Sequence, residues 1–232
     1  MLMRLATTRA DSRTTALFAM LVLALLGVAQ DPALAQRGRG EPGRFDYYVL
    51  SLSWSPSFCE TPAGAGQQEQ CGGARPFAFV VHGLWPQYER GFPQNCQVPP
   101  PRLDRRIVEE MLDLMPARRL VYHEWDTHGT CSGLDQRAYF DTIRKARTLV
   151  KTPPRFEHPQ QPLTVAPGEV VDAFVTANPG LAASGVTIDC DRRFLREVRI
   201  CMTRELQFRE CSPGAARACR SDSLVMPPVR GQ

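Results

Sequence analysis

The sequence lacks the features that mark membrane-spanning, thiolate-metal and polycation-tailed proteins. Beyond the N-terminal region, no apolar stretch approaches the about 20 residues that a bilayer span requires. No C-x-x-C pair occurs and the gaps between cysteines are irregular, which argues against a thiolate zinc site. No block of five like charges occurs, which excludes a charged nucleic-acid-binding tail. The formal net charge of +4 allows contact with a polyanion but does not require one.

The first 35 residues have the pattern of a secretory signal. Three arginines precede the apolar run ALFAMLVLALLGVA, and the small-residue motif ALA ends at Ala35. Because the run is shorter than a membrane span, we interpret residues 1–35 as a signal peptide cut after Ala35 rather than as an anchor. The Gly-, Pro- and Arg-rich residues 36–44 are expected to be a flexible leader. The absence of an N-x-S/T sequon fits a bacterial source, with either the periplasm or the medium as destination.

All eight cysteines lie in the predicted mature chain. An even number of cysteines in an exported protein predicts disulfides, here four if all of them pair. Their spacing alone does not determine the connectivity. The cysteines are Cys59, Cys71, Cys96, Cys131, Cys190, Cys201, Cys211 and Cys219.

The N-terminal part of the mature chain predicts two strands. In FDYYVLSLSWSPSFC, the apolar residues from Tyr48 to Trp54 alternate with a period of two, as in a half-buried strand. A second strand, PFAFVVHGLW, is expected to end at Gly83. The intervening TPAGAGQQEQCGG has the composition of a loop.

Helices and further strands follow. Helices are expected in RRIVEEMLDLMP, which Pro116 ends, in RAYFDTIRKARTLVK and in APGEVVDAFVTANPG. Strands are expected in GVTIDC, FLREVRICM and ELQFREC. This mixture without regular βαβ repetition predicts an α+β fold, with helices on one side of a largely antiparallel sheet. Residues 45–232 are therefore expected to form a single, disulfide-stabilised domain.

Two of the four histidines lie in HEWDTHGTC, residues 123–131, which has some likeness to a zinc site. A zinc-protease helix places its histidines at i and i+4, about 40° apart. His123 and His128 are five residues apart, hence about 140° apart on a regular helix, and would not converge on one ion. No third ligand follows at a suggestive spacing, so the sequence argues against a metal site.

The same stretch favours acid–base chemistry. Glu124 and His128 are at i and i+4 and share one face of a regular helix, with His123 at its edge. An unperturbed imidazole has a pKa of about 6.5, so two of them can supply a base and an acid near neutral pH. The carboxylate can hold an imidazolium or hydrogen-bond a reacting oxygen.

A third histidine, His82, lies in FVVHGLWPQY at the predicted end of an apolar strand, a position suited to catalysis. Trp85 and Tyr88 offer aromatic faces on which a base can stack, worth about 1–3 kcal/mol per base. Each motif also has an ordinary structural interpretation, because a histidine or tryptophan in an apolar strand is usually a core residue.

Together, HGLWPQY (residues 82–88) and HEWDTHGTC (residues 123–131) resemble the two active-site signatures of the ribonuclease T2 family. The resemblance extends to the secretory signal, to SLSWSPSFC and to Asn95-Cys96. The C-terminal half matches mainly through its cysteines and strands. The resemblance implies an exported endoribonuclease of low base specificity that acts on single-stranded RNA without metal or other cofactor. RNA is then the expected partner, the mature form has no membrane contact, and the chain is expected to be a monomer.

The resemblance also implies a mechanism. The 2′-hydroxyl of RNA attacks the adjacent phosphorus, giving a 2′,3′-cyclic phosphate that is later hydrolysed to a 3′-phosphate. The protein then supplies a base, an acid and anion stabilisers. His128 is the implied base and His82 the implied acid, although these two roles can be interchanged. His123 is expected to bind phosphate and Glu124 to support the transition state. The candidates for substrate contact are Trp85, Gln87, Tyr88 and Thr127.

One residue departs from the family pattern. The family commonly carries a lysine immediately before its last histidine, where this chain has Thr127. Losing one cationic contact to the reacting phosphate can cost about 10²-fold in rate. A weakened relative that only binds RNA is therefore the second hypothesis, and a metallohydrolase is the third. DNA is an unsuitable substrate because it lacks the 2′-hydroxyl nucleophile.

The family pattern also implies how the cysteines pair. The second pair would hold the loop after the first motif to the end of the second motif. His158 matches neither signature and has no assigned role. The implied pairs are Cys59–Cys71, Cys96–Cys131, Cys190–Cys219 and Cys201–Cys211.

Overall fold

The computed structural model describes residues 40–73, 75–213 and 219–230. The predicted signal peptide and residues 36–39 of the predicted leader lie outside the described residues. The strands are β1 (Tyr47–Trp54), β2 (Phe79–Gln87), β3 (Leu163–Val165), β4 (Val186–Cys190), β5 (Leu195–Met202) and β6 (Leu224–Met226). They form a four-stranded antiparallel sheet, in the order β2-β1-β5-β4, and a two-stranded sheet of β3 and β6.

Seven α-helices lie in the described part of the chain, so the predicted α+β class is confirmed. The longest, α6, begins where Asp135 accepts a hydrogen bond from the Ala138 N–H (2.8 Å), and α7 begins at Pro167. The helices are α1 (Ser55–Cys59), α2 (Pro62–Ala65), α3 (Gln68–Cys71), α4 (Arg105–Met111), α5 (Arg118–Thr127), α6 (Gln136–Leu149) and α7 (Pro167–Ala177).

The main core lies between the longer helices and one face of the four-stranded sheet. The side chains on this face of β1 are fully buried against apolar residues of α4, α6 and α7. Burial of this kind contributes about 25 cal/mol per Å² of apolar surface and is the main source of stability here. The residues at the centre include Leu50, Leu52, Trp54, Ile107, Phe140, Ile143 and Phe174.

The prediction that β1 is half-buried was wrong. The strand lies between β2 and β5, and its second face is covered as well as its first. On that second face, Tyr47 and Val49 pack with Cys201 in a small apolar cluster, and Ser51 is buried. A central strand covered on both faces can still alternate in sequence when one of the faces carries polar side chains.

Strand β2 does not end at Gly83, as predicted, but continues to Gln87. Its pairing with β1 shifts between Ser51 and Leu52, which pair with Gly83 and Val81 respectively. His82 is therefore the extra residue of a β-bulge. A bulge bends the strand and re-aims side chains, and bulges are common beside active sites.

Three other predicted elements differ from the structure. The predicted loop at residues 61–73 contains α2 and α3, because Thr61 caps the first of them by accepting the Gly64 N–H (3.0 Å). The first predicted helix ends at Met111, before Pro116, because the chain turns there and the Leu114 carbonyl accepts the Val81 N–H of β2 (2.9 Å). The predicted strand ELQFREC is a turn with one isolated bridge at Phe208.

The eight cysteines form four disulfides within the described residues. The Cys96–Cys131 bond joins the loop after β2 to the turn after α5. Among the described residues, no helix combines the length and apolar character needed to cross a bilayer. The bonds are Cys59–Cys71, Cys96–Cys131, Cys190–Cys219 and Cys201–Cys211.

Candidate active site

The site lies on the second face of the four-stranded sheet, where the bulge in β2 presents His82. About 35% of the His82 side-chain surface is exposed. The next residue must be glycine, because a Cβ on Gly83 would lie 1.9 Å from Glu124 Oε2 and 2.3 Å from Trp85 Nε1. The bulge and the missing side chain together let α5 approach β2 closely.

Helix α5 and the residue that follows it bring the second motif to this face. The helix ends at Thr127, and His128 departs from helical geometry at φ −116°. Its N–H still bonds to the Glu124 carbonyl, at 3.0 Å. The expectation that the two histidines of the motif diverge was based on a regular helix through His128 and was wrong. The His123 and His128 ring centroids lie 6.4 Å apart.

The second motif therefore gathers three potential metal-binding side chains. Donor atoms of His123, Glu124 and His128 lie within 4.8 Å of one another. A tetrahedral zinc site needs its donor atoms about 3.4 Å apart, given zinc–nitrogen bonds of about 2.1 Å. In addition, Glu124 Oε2 already accepts a hydrogen bond from the protein. The surroundings of the three groups favour acid–base chemistry over metal binding.

Glu124 is a fully buried carboxyl group with one hydrogen-bond donor. Trp85 Nε1 donates to Oε2 at 2.8 Å, and Oε1 lies 3.8 Å from His82 Nε2. Oε1 has no other polar partner among the described residues. Burial raises the pKa of Glu124 to about 7, although the charge of His82 and the Trp85 hydrogen bond oppose the rise. This carboxyl group can therefore gain or lose a proton near neutral pH.

A second carboxylate, on the other side of His82, was missed by the sequence analysis. Glu197 of β5 accepts a short hydrogen bond from His82 Nδ1 through Oε1. Its other oxygen accepts from Ser51 Oγ (2.9 Å) and from Arg199 Nε (2.8 Å). A signal for it existed in FLREVRICM, where Glu197 and Arg199 place opposite charges on one face of the strand.

These contacts shift both partners toward their charged forms. Burial alone would raise the pKa of Glu197, but the hydrogen bond and charge of His82, with help from Arg199, lower it to about 2. Burial alone would lower the pKa of His82, but the hydrogen bond and charge of Glu197, with the charge of Glu124, raise it. Both shifts favour the imidazolium form of His82.

His128 has the opposite electrostatic environment. Its Nδ1 is buried and has no hydrogen-bond partner in the described part of the chain. Burial lowers the pKa of His128 to about 3, and the nearby charges of His123 and His82 add to the effect. His128 is therefore neutral at physiological pH.

The residues suggested for base binding have other contacts. Besides donating to Glu124, the Trp85 ring lies 5.1 Å from the Arg199 guanidinium and 5.4 Å from the His128 ring. These contacts favour a positioning role for Trp85. Gln87 is buried and donates to the Pro86 carbonyl, while Tyr88 is half-buried against the core. Thr127 Oγ1 lies 3.5 Å from His123 Nδ1.

An open cavity of about 700 Å³ adjoins the histidines, which is within the range of ligand sites. His82 and His123 line one side of it, and Glu197 lies beside them. Arg119, one helical turn before His123 on α5, is exposed and lines the same cavity. The cavity therefore combines His82 and His123 with charged groups of both signs, and Glu124 and His128 are not among its lining residues.

Comparison with known proteins identifies the family of the chain. The model of the ribonuclease T2 family matches residues 45–211. The chain belongs to the ribonuclease T2 family. This T2 ribonuclease is 39% identical over 191 residues to a ribonuclease of Aeromonas hydrophila, covering 79% of the chain and 85% of that relative. It is 33% identical over 128 residues to a probable ribonuclease of Haemophilus influenzae, covering 50% of the chain and 47% of that relative.

Solved structures agree. RNase NT, in complex with 5′-AMP, is 26% identical, with a TM-score of 0.56 over 79% of the chain and 98% of RNase NT. An RNase-related protein from Calystegia sepium has the same fold, with a TM-score of 0.62, 20% identity, and coverage of 79% of the chain and 97% of the relative. The predicted family and the predicted endoribonuclease activity are confirmed. The four disulfides and the family together indicate an exported protein.

Proposed function

We propose that this endoribonuclease cleaves single-stranded RNA by metal-independent transesterification, with low base specificity. The observation that carries the proposal is that two histidines of one site have opposite electrostatic surroundings. His82 lies between Glu197 and Glu124, whose contacts raise its pKa, and burial lowers the pKa of His128 to about 3. A site that holds one protonated and one neutral imidazole is equipped with an acid and a base.

In the first stage, His128 takes the proton of the 2′-hydroxyl as that oxygen attacks the neighbouring phosphorus. The P–O5′ bond breaks, and His82 gives a proton from Nε2 to the leaving 5′-oxygen. The products are a 2′,3′-cyclic phosphate and a free 5′-hydroxyl. In the second stage the roles reverse, because water attacks the cyclic phosphate and the 2′-oxygen leaves, so the 3′-phosphate forms. The opposite pKa shifts support this assignment of the first-stage roles, which the sequence leaves interchangeable.

Glu124 and His123 are proposed to stabilise the phosphate. When protonated, Glu124 Oε1 has a hydroxyl to donate to a non-bridging oxygen, and it has no polar partner of its own closer than His82. His123 is exposed at the cavity and can donate an N–H to the same group. Such preorganised donors are worth about 10²–10³-fold in rate each.

We further propose that Arg119 supplies the positive charge that Thr127 does not. Arg119 lines the cavity with His82 and His123, and its guanidinium has the donor geometry that suits phosphate. This would let the enzyme keep a cation near the reacting group although the residue before His128 is uncharged.

The remaining expectations also stand as proposals. Residues 1–35 would be removed as a signal peptide, residues 36–44 would form a flexible leader, and residues 45–232 would act as one monomeric catalytic domain. Its destination would be the periplasm or the medium. Mass spectrometry of the protein recovered from each fraction identifies the mature N-terminus and the compartment together.

The decisive experiment is digestion of homopolymer RNAs by the purified, oxidised chain in EDTA, with analysis of the product ends. We expect 2′,3′-cyclic phosphates first and 3′-phosphates later, at comparable rates on all four homopolymers. Activity that vanishes in EDTA and returns with zinc would instead assign His123, Glu124 and His128 to a metal. RNA binding without any cleavage would leave a weakened, RNA-binding relative.

A further inference from the structure

A row of polar and charged side chains crosses the second face of the four-stranded sheet, with one or two members from each strand. We call it the polar row. It consists of His82 (β2), Ser51 (β1), Glu197 and Arg199 (β5) and Asp189 (β4), in the spatial order of the strands. Its contacts run from His82 Nδ1 to Glu197, from Ser51 and Arg199 to Glu197, and from Arg199 Nη2 to Asp189 Oδ2 (3.2 Å).

We infer that Glu197, held by Ser51 and Arg199, is a positioning residue that fixes His82 for proton transfer through Nε2. An ionised carboxylate only accepts hydrogen bonds, so the Nδ1 bonded to it must carry a hydrogen. The proton that His82 gains and loses is therefore the one on Nε2. That nitrogen lies on the Glu124 side of the ring, 3.8 Å from Oε1. This inference rests on the proposed role of His82 as the acid.

The surroundings of Glu197 make it suited to this task. The carboxylate is buried, and its two oxygens accept from three groups on three different strands, so it cannot rotate away from the ring. Glu197 and Arg199 are two residues apart and therefore lie on one face of β5. Arg199 is in turn held by Asp189. The orientation of His82 is thus determined by the pairing of the whole sheet.

Charge along the polar row also favours the acid form of His82. With His82 protonated, the charges of His82, Glu197, Arg199 and Asp189 alternate in sign and sum to zero. The other titratable groups near the ring are Glu124 of α5, at 3.8 Å, and His128 after that helix, which is neutral. Loss of the His82 proton would leave the row with an uncompensated negative charge, which is costly at a buried position.

A purely structural role for Glu197 makes different predictions, and leaving-group dependence separates the two. Uridine 3′-(4-nitrophenyl phosphate) has a leaving group that needs little protonation, whereas the dinucleotide UpU needs a full general acid. If Glu197 acts through His82, Glu197→Gln lowers kcat/KM for UpU by about 10- to 100-fold, because general acid catalysis contributes about 10²–10⁴-fold. The loss on the nitrophenyl substrate is then less than about threefold.

Two further readouts complete the test. In the His82→Ala background, Glu197→Gln causes no additional loss on UpU, since the group it positions is gone. When Glu197→Gln is compared with wild type, the alkaline limb of its kcat/KM profile is expected to lie at lower pH. The reason is that the His82 imidazolium has lost its nearest counter-charge. We also expect the ¹⁵N NMR signals of wild-type His82 to show Nδ1 protonated throughout the active pH range.

The matched control is Glu89→Gln. Glu89 is an exposed carboxylate that accepts from Arg209 (2.9 Å) and from Ser212, so it repeats the arginine–hydroxyl arrangement without a histidine. We expect it to leave both substrates unaffected. Equal losses of Glu197→Gln on both substrates, or the same fold-loss with and without His82, would overturn the inference. If Glu197→Gln fails to fold, Ser51→Ala takes its place, with a smaller loss in the same pattern.

Failure of the proposed function looks different. If His82→Ala retains wild-type activity on UpU, the acid assignment fails and Glu197 has nothing to position. If His82→Ala is inactive but Glu197→Gln equals wild type, the acid assignment stands and only the positioning role is lost.

Discussion

The two sides of the site differ in how they hold a carboxyl group against the same histidine. On the α5 side, Glu124 receives one hydrogen bond, from Trp85, and burial raises its pKa to about 7. On the β5 side, Glu197 receives hydrogen bonds from His82, Ser51 and Arg199, and its pKa falls to about 2. Both are buried, so burial does not explain the difference. The number and charge of the hydrogen-bond donors explain the difference in pKa.

The difference in pKa gives Glu197 and Glu124 different functions. A carboxylate that stays ionised provides a fixed counter-charge and a fixed orientation for His82. A carboxyl group that titrates near neutral pH can change its interaction with phosphate as charge develops during the reaction. The adaptable side is expected to respond to the phosphate, while the rigid side keeps His82 in place and lines the cavity through Glu197.

The largest effect should come from removing either of the two histidines that are proposed as acid and base. His82→Ala and His128→Ala are each expected to lower kcat/KM for UpU by about 10²–10⁴-fold, the usual range for a lost acid or base. His158→Ala is the matched control, because this histidine lies in neither motif, and its activity should equal wild type. Full activity in His128→Ala would contradict the assignment of the base.

The α5 carboxyl group should make the enzyme less stable as pH rises. Between pH 4.5 and about 7 the folded protein keeps a proton that the unfolded chain has released, so the free energy of unfolding falls with pH. The two pKa values correspond to about 3 kcal/mol. Glu124→Gln lacks this loss, so urea denaturation should show it gaining about 3 kcal/mol on wild type between pH 4.5 and pH 8.5.

An exposed acid provides the control for this experiment, because Glu205→Gln should follow wild type at both pH values. A Glu124→Gln curve parallel to wild type would mean that the Glu124 carboxyl titrates normally. Glu197 has the opposite sign, because its lowered pKa stabilises the fold above about pH 4.5 and this contribution is lost as pH falls toward 2.

A cation beside Glu124 should bring the pKa of this carboxyl group closer to that of Glu197. Thr127→Lys places a charge beside the phosphate-binding groups, as in the common family pattern, and would lower the pKa of Glu124. We expect kcat on RNA to rise about tenfold, part of the about 10²-fold that one such contact can give. Thr148→Lys, on the exposed surface of α6, adds the same charge elsewhere and should change nothing. An unchanged or lower kcat in folded Thr127→Lys would contradict the expectation that the site gains from a second cation beside Arg119.

The smallest effect should come from removing the hydrogen bond that Trp85 donates to Glu124, which would separate the pKa values of Glu124 and Glu197 further. Trp85→Phe keeps an aromatic ring but removes the N–H donor, so the pKa of Glu124 should rise further. We expect a loss of about threefold in kcat/KM at pH 7, since a hydrogen bond to a charged group contributes about 1.5–3 kcal/mol and only part of it acts on the reaction. In the Glu124→Gln background the same substitution should have less effect. Equal effects in both backgrounds would show that Trp85 acts independently of Glu124.

The α5 side could be predicted from sequence because its groups are local. His123, Glu124 and His128 lie within six residues of one another, so a motif identifies them together. Even there, the meeting of the two histidines was missed, since it depends on the helix ending at Thr127. Helix ends are determined by tertiary contacts as well as by local signals.

The β5 side could not be predicted in this way. Glu197 meets His82 across 115 residues of sequence and Ser51 across 146. Those contacts follow from strand order and register, which no single strand encodes. The turn at Phe208 and the two short helices at residues 61–73 were missed for a related reason, because disulfides and capping contacts hold them.

The extra residue at His82 has a consequence for the whole of β2. Val81 and Leu84 both face the core although they are three residues apart, which an uninterrupted strand does not permit. The insertion switches the strand from odd-numbered to even-numbered core positions. Deleting His82 would therefore leave Leu84 two positions after Val81, so the core face of the strand would be kept and only the re-aimed side chain at the bulge would be lost. The change of parity is also why the alternation in the sequence breaks at Gly83.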